Sequence, residues 1–256
     1  MKLLVKLGGT LLDDAASRHR LAAELSAVAS QHQLTIVHGG GKQMTRFLAE
    51  RGVESKFVNG LRVTSPDVVD AVLKVFAGTV NHELVAAFVK AGSRAVGLTG
   101  IDAGLTETEQ MNPALGAVGK LTGADAGILN LLTAHQYLPV VACVGGNRHG
   151  EIFNVNADQM AVACAAAFQA AQLIFLTDVP GVKGGTGQWL PALSSTGAQQ
   201  LIRDGVATGG MEAKLNSACH ALATGVGEVR IAAGAEPDAV ARILQGEPLG
   251  TRIYAR

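Results

Sequence analysis

Short apolar runs alternate with longer stretches of mixed polarity along the whole chain. The runs are "LLVKLGG" at residues 3–9, "LTIVHGGG" at 34–41, "RAVGLTG" at 94–100, "LPVVACVGG" at 138–146, "LIFLTDVPGV" at 173–182 and "EVRIAAG" at 228–234. A strand buried on both faces reads as an unbroken apolar run, whereas a half-exposed strand alternates. Between the runs, segments 16–31, 66–91 and 157–171 have helix-like patterns. Strand and helix in alternation predict an α/β fold whose mainly parallel sheet is covered on both faces. Two glycine-bearing pieces, "NRHGEIF" at 147–153 and "GGTGQWL" at 184–190, read as β-hairpins added to that core. No fixed-period repeat, low-complexity tract or proline-rich linker interrupts the pattern. A single domain over residues 1–256 is expected, with any division into halves near residue 155.

Composition narrows the partners. The 256 residues are 48% hydrophobic and 16% charged, enough to build a full core. Lysine and arginine number 21 and the acids 21, so formal net charge is zero. No electrostatic footprint suggests nucleic acid or an anionic membrane, and a small anion would be held by local groups. The opening "MKLLVKLGG" is too short for a signal peptide, and no apolar stretch approaches the roughly 20 residues of a spanning helix. A cytoplasmic protein is expected. Cys143, Cys164 and Cys219 are far apart with no CxxC, as small buried thiols would be.

The chemistry lies where polar residues and glycines interrupt apolar runs. Gly39-Gly40-Gly41 follows a strand, but neither common phosphate loop fits. Gly41-Lys42 is followed by Gln43, not the Ser or Thr of a P-loop, and a GxGxxG count puts Met44 at the third glycine. The physics survives: glycines let backbone amides approach an anion, and a helix beginning near Lys42 aims its positive end at it. Gly8-Gly9, Gly145-Gly146 and Thr177-Asp178 also follow strands, and strand carboxyl ends are where ligands of parallel sheets bind.

Lys6 breaks the first strand two residues before Gly8, where its charge needs a partner. In "FNVNADQMA", Asn156 and Gln159 make a capping pair, Asp158 falls in the first helical turn, and Asn154 precedes the cap. In "TGGMEAKLNSA", Gly209-Gly210 precedes a helix whose early Lys214 opposes the dipole and wants an anion. In "FVNGLRVTSPD", Asn59-Gly60 signals a hairpin turn, Arg62 suits bidentate capture of a carboxylate, and Ser65-Pro66 reads as a helix start. Taken singly, each has an ordinary structural reading: a snorkelling lysine, a capping residue, a surface arginine. The seven histidines show no metal spacing, since His82-Glu83 lacks a second histidine, and there is no GxSxG. Lysines, glycines and a few carboxylates suit phosphoryl transfer, where positioning and charge stabilisation dominate.

In order along the chain, "KLGGTLL", "IVHGGGKQ", "FVNGLRVT", "YLPVVACVG", "EIFNVNADQMA", "LTDVPGV", "GGMEAKLNSA" and "GTRI" are similar to the amino acid kinase family, in particular its members that phosphorylate N-acetyl-L-glutamate. The resemblance implies an open three-layer αβα sandwich with the acyl-amino-acid site in residues 1–155 and the ATP site in residues 156–256. It implies transfer of the γ-phosphoryl group of ATP to a side-chain carboxylate in arginine biosynthesis. Lys6 and Lys214 then flank the moving phosphoryl group, with Asp158 holding both. Gly40, Gly41, Arg62 and Asn154 bind the acid. Gly8, Gly9, Thr177, Asp178, Val179, Gly181, Val182, Gly209, Gly210 and Met211 bind ATP. Mg2+ is expected to ride on the ATP phosphates with no protein ligand.

Two departures stand out. "TGIDAG" carries Ile101 where the family often has lysine. The chain also begins directly at the first strand, like the shorter, dimeric, arginine-insensitive members, so a homodimer is expected. A kinase of a related acid, such as N-succinylglutamate or N-acetylaminoadipate, and a non-catalytic sensor are the competing readings.

Overall fold

The apolar runs become strands of one eight-stranded sheet in the computed structural model, which describes residues 1–58 and 60–255. The strands are β1 (Lys2–Leu7), β2 (Gln33–His38), β3 (Arg94–Thr99), β4 (Tyr137–Ala142), β5 (Gln172–Thr177), β6 (Ala192–Ser194), β7 (Glu228–Ala233) and β8 (Thr251–Tyr254). Their order across the sheet is β6-β8-β7-β5-β1-β2-β4-β3. β8 runs antiparallel to β7 and carries β6 beside it in its own direction, while β7, β5, β1, β2, β4 and β3 are mutually parallel. β1 sits in the middle, with Leu3, Leu4, Val5 and Leu7 wholly buried. Each such side chain contributes roughly 1.5–3 kcal/mol by leaving water. Lys6 therefore lies deep in the sheet, in register with Val37 of β2 and Phe175 of β5.

Helices cover both faces, giving the expected αβα sandwich. They are α1 (Ala15–Ala29), α2 (Gly41–Ala49), α3 (Pro66–Lys90), α4 (Gly127–Ala134), α5 (Ala157–Phe168), α6 (Ser195–Arg203), α7 (Gly209–Ala223) and α8 (Ala239–Leu244). α1 packs with α3 and α8, whereas α7 packs with α5 and α6, and α5 lies against β1. α5 starts as its sequence suggests, with Asn156 Oδ1 accepting from Asp158 N at 2.9 Å and Gln159 N at 3.2 Å. Pro66 opens α3, although Ser65 sits at the cap without a side-chain bond to it.

α3 corrects one expectation. Its 25 residues are long enough, with a window of mean hydropathy 1.4, to match a spanning helix by length and composition. Asp67, Asp70, Lys74 and Glu83 hide this in the sequence. The apolar stripe has a use inside the protein: Val68, Val72, Val75, Phe76, Val80, Leu84 and Phe88 are buried against α1, α2 and β3. Leu73–Val80 within it is a π-helical segment.

Both expected hairpins form, pairing Val144–Gly146 with Ile152–Asn154 and Val182–Lys183 with Trp189–Leu190. Phe57–Val58 pairs with Leu61–Arg62 as expected, while turn residue Asn59 lies outside the described residues. A further hairpin pairs Thr106–Gln110 with Gly119–Ala124 through a connection that carries Asn112-Pro113 and Gly116. The loop joining its strands is tied to two other segments. Thr64 N donates to Leu115 O at 2.9 Å, Ala117 N to Thr64 O at 2.7 Å, and Asn154 N to Ala117 O at 2.9 Å. Gly116 makes this crossing possible, with φ +68° and an ideal Cβ position only 2.2 Å from Thr64 O. Gly116→Ala is expected to lower unfolding free energy by about 2–4 kcal/mol in urea titration, combining left-handed strain with a backbone clash.

Candidate active site

The parallel strands deliver their glycine-bearing carboxyl ends to one edge of the sheet. Gly8 follows β1 and its N–H donates to Leu176 O of β5 at 2.9 Å; Gly39 follows β2, and its Cβ position is 3.3 Å from Ala157 at the start of α5. α5 thus begins beside the glycine loop. Its first-turn residue Asp158 is buried and receives two ammonium groups, Lys6 Nζ at 2.8 Å from Oδ1 and Lys214 Nζ at 3.3 Å from Oδ2. Lys6 reaches its oxygen as a close ion pair, Lys214 as a hydrogen bond. Lys6 comes from β1, Asp158 from α5 and Lys214 from the second turn of α7, so three elements meet at one carboxylate.

Burial alone would raise the Asp158 carboxyl, but the charges of Lys6 and Lys214 outweigh it and hold the group below the usual carboxylate range. The cluster carries two cations and one anion, so it has net positive charge with the anion buried between. Lys214 is the more accessible ammonium and faces a cleft of about 1260 Å³ bordered by Asp158, Gly209, Gly210 and the Lys120–Ala124 strand. A Cβ at Gly41 or Gly210 would meet nothing within 4 Å, so packing does not require glycine at either place. Open space beside a helix N-terminus lets an anion approach the main chain.

A second group of residues gathers around the glycine loop. Arg62 is buried, and its Nη2 donates to Gly41 O at 3.0 Å and Thr45 Oγ1 at 2.8 Å, while Nη1 donates to Ser55 Oγ. The Phe57 ring lies 4.6 Å from the guanidinium. Burial lowers the Arg62 pKa, and among the described residues no carboxylate pairs with it. A buried arginine held only by neutral oxygens is poised for an anionic ligand. Asn154 joins the group through Thr64: its Nδ2 donates to Thr64 Oγ1 at 3.0 Å, and Thr64 Oγ1 donates to Arg62 O at 2.8 Å.

Residues 1–233 match the family model described as the amino acid kinase family. The chain belongs to the amino acid kinase family. It is 63% identical over 254 residues to an acetylglutamate kinase of Solibacter usitatus (strain Ellin6076), covering 99% of each protein. It is 38% identical to an acetylglutamate kinase of Koribacter versatilis (strain Ellin345) over 100% of this chain and 99% of that one. Among solved structures, N-acetylglutamate synthase of Neisseria gonorrhoeae, complexed with coenzyme A and N-acetyl-glutamate, superposes with a TM-score of 0.89 at 24% identity. The chain spans 59% of that longer protein, which shows a shared fold.

Within this kinase fold the sequence-expected residues fall into groups. Lys6, Asp158 and Lys214 touch directly, and Gly209 and Gly210 border the same cleft. Gly41, Arg62 and Asn154 are linked by hydrogen bonds, with Gly40 buried behind them. Gly8 lies next to Thr177, and Gly9 opens the 3-10 turn Gly9–Leu12. Thr177, Asp178, Val179, Gly181 and Val182 do not line the Lys214 cleft, and neither does Met211. Val182 is fully buried and its N–H donates to Thr251 Oγ1 at 2.8 Å, so its side chain and its N–H are both committed within the fold. Asp102, beside Ile101, caps the end of β3 by accepting from Thr99 N at 2.6 Å.

Two residues of the site region carry no warning in the sequence reading. His38 ends β2 fully buried, and Asn81 sits mid-way along α3 with its side chain against it. Burial pushes the His38 imidazole down to about 4, so it is neutral.

Asp158→Ala leaves two ammonium groups facing each other and is expected to cost about 3–5 kcal/mol in urea titration. ATP should raise the melting temperature of that variant by more than it raises that of the parent, because phosphates supply the missing negative charge. His38 gives a separate pH signature. Its stabilisation is complete above the unfolded value of 6.5 and is lost as pH falls towards the folded value of about 4. The span is worth roughly 3 kcal/mol. Unfolding free energy measured between pH 7 and 4 should show this fall, and His38→Gln should flatten it.

Proposed function

We propose that this chain phosphorylates the side-chain carboxylate of N-acetyl-L-glutamate with the γ-phosphoryl group of ATP, a step of arginine biosynthesis. The observation that carries this reading is the Lys6–Asp158–Lys214 cluster beside an acid-free buried Arg62, in a chain 63% identical to an acetylglutamate kinase across its length. A carboxylate oxygen of the acid forms a bond to the γ-phosphorus while the bond to the β–γ bridging oxygen breaks and ADP leaves. The acceptor is already ionised at neutral pH, so no proton has to be removed. This fits a site whose one buried carboxylate, Asp158, is committed to two lysines.

Lys6 and Lys214 stabilise charge on the transferring group from two elements, and Asp158 fixes the distance between them. Gly8, Gly9, Gly40 and Gly41 supply main-chain donors. Arg62 binds the α-carboxylate of the acid, and Asn154 its α-substituents. The nucleotide lies along Gly209, Gly210 and Met211, with its other side against Thr177, Asp178, Val179, Gly181 and Val182. Among the described residues no cluster of three or more His, Cys, Asp or Glu side chains gathers, and the Asp158 oxygens are occupied. The residues do not fit a resident metal centre; Mg2+ arrives on the phosphates, where it neutralises charge. Residues 1–155 serve the acid and residues 156–256 the nucleotide within one catalytic domain. A homodimer in the cytoplasm is part of the same reading; among the described residues β3 is a sheet edge that pairs with β4 alone, and an edge strand is one place where a second copy can pair.

Hydroxylamine trapping with Mg-ATP tests the reading across N-acetyl-L-glutamate, N-succinyl-L-glutamate, glutamate, aspartate and N-acetylaminoadipate. Hydroxamate should form chiefly from N-acetyl-L-glutamate. Lys6→Ala and Lys214→Ala should each lower kcat by about a hundredfold or more. Arg62→Ala should instead raise the KM for the acid at least about tenfold with the KM for ATP little changed. Product from another acid, or from none, would sink the substrate assignment.

A further inference from the structure

We infer that His38 and Asn81 are positioning residues that aim the glycine-loop amides at the reacting groups. The inference rests on the kinase reading for its chemistry, but its geometry stands alone. His38 is wholly buried at the end of β2, and its Nδ1 lies 2.8 Å from Gly39 O. Its other ring nitrogen, Nε2, lies 2.9 Å from Nδ2 of Asn81, which also donates to Val140 O of β4 at 2.9 Å.

This chain of contacts has one consistent proton arrangement. The Val140 carbonyl accepts only, so it takes an N–H and fixes which end of the Asn81 amide faces it. The second hydrogen of the same nitrogen then points at His38 Nε2, which must be an acceptor. The imidazole proton is thereby placed on Nδ1, where it donates to Gly39 O. In a trans peptide the carbonyl of one residue and the N–H of the next point in opposite directions. Holding Gly39 O towards the interior therefore turns the Gly40 N–H outwards. Among the described residues neither the Gly40 nor the Gly41 N–H donates to another main-chain group, so both are available at the mouth of α2.

Packing holds the relay in place. A Cβ on Gly97 of β3 would stand 2.1 Å from Asn81 Oδ1, so the amide occupies space only glycine leaves. The π-helical segment just before Asn81 presses on the loop itself. Phe76 Cδ1 and Val80 Cγ2 are 2.8 and 3.3 Å from the Cβ position of Gly40. The π turn sets the phase at which α3 presents Phe76, Val80 and Asn81 together, and such irregular turns cluster at functional sites. Lys6 is the charged neighbour whose field reaches His38.

The test uses Asn81→Leu, which keeps volume but frees the tautomer, and His38→Gln, whose Oε1 can keep an acceptor near the Nε2 position but which loses the Nδ1 donor. His38→Asn, which can present an amide N–H near the Nδ1 position, is the conservative control. In steady-state assays the first two should lose about tenfold to a hundredfold in kcat, with both KM values within about threefold. His38→Asn should recover most of that loss. Equal kcat in all three folded variants, or losses confined to KM, would overturn the inference. Nitrogen-15 NMR of the unmodified chain reads the tautomer directly, whatever the variants do. A neutral ring protonated at Nδ1 at pH 7 is expected; a ring protonated at Nε2, or cationic, defeats the relay. If the parent transfers no phosphoryl group, the functional reading falls while the NMR result still decides the geometry.

Discussion

Two lysine ammonium groups on one buried carboxylate are the constraint around which this molecule is arranged. Neither Lys6 nor Asp158 is tolerable alone at such depth, because a buried unpaired charge costs several kcal/mol. Lys6 must come from the central strand and Asp158 from the first turn of the helix lying on it. Lys214 must come from a helix that packs against that helix. Satisfying all three fixes the relation of β1, α5 and α7, and so of the two halves of the sheet. The three groups do not neutralise one another: one positive charge remains at the mouth, as a site for a polyanion needs.

The acid-binding side is built by different means. Arg62 and Asn154 sit on short strands outside the main sheet, and each would be poorly fixed by its own hairpin. They are joined because residues 115–117 bond to Thr64 on one side and Asn154 on the other. The glycine loop between them and the lysines is braced from below by α3. The site thus combines a rigid electrostatic cluster with loops whose direction is set by hydrogen bonds to main chain.

Much of the plan is legible in the linear pattern. Unbroken apolar runs give the buried parallel strands, and glycines after them give the ligand edge. Lys6 stands out because no apolar strand keeps a lysine without reason. Other features are less legible. The Thr106–Gln110 hairpin is hard to read because its strands are largely polar and eight residues separate them, although Asn112-Pro113 and Gly116 mark the turn between. α3 conceals its apolar stripe behind scattered charges, and Asn81 reads as one more polar residue in it. Val182, within the "LTDVPGV" motif, has its side chain in the core, which the motif alone does not reveal.

By itself the sequence determined the residue types and their order: two lysines, one aspartate, glycine pairs at strand ends, and an arginine beside a hairpin. Those choices are local, because propensity, periodicity and turn chemistry act over a few residues. The tertiary structure alone decided which of them meet. Lys6 and Lys214 are 208 positions apart (214 − 6) and share a carboxylate only because β1, α5 and α7 pack as layers. The direction of the glycine-loop amides is equally non-local, since it depends on Val140, Asn81 and His38 from three separate elements. Pairings of that kind follow from the burial of charges and polar groups in a common core, which no single segment contains.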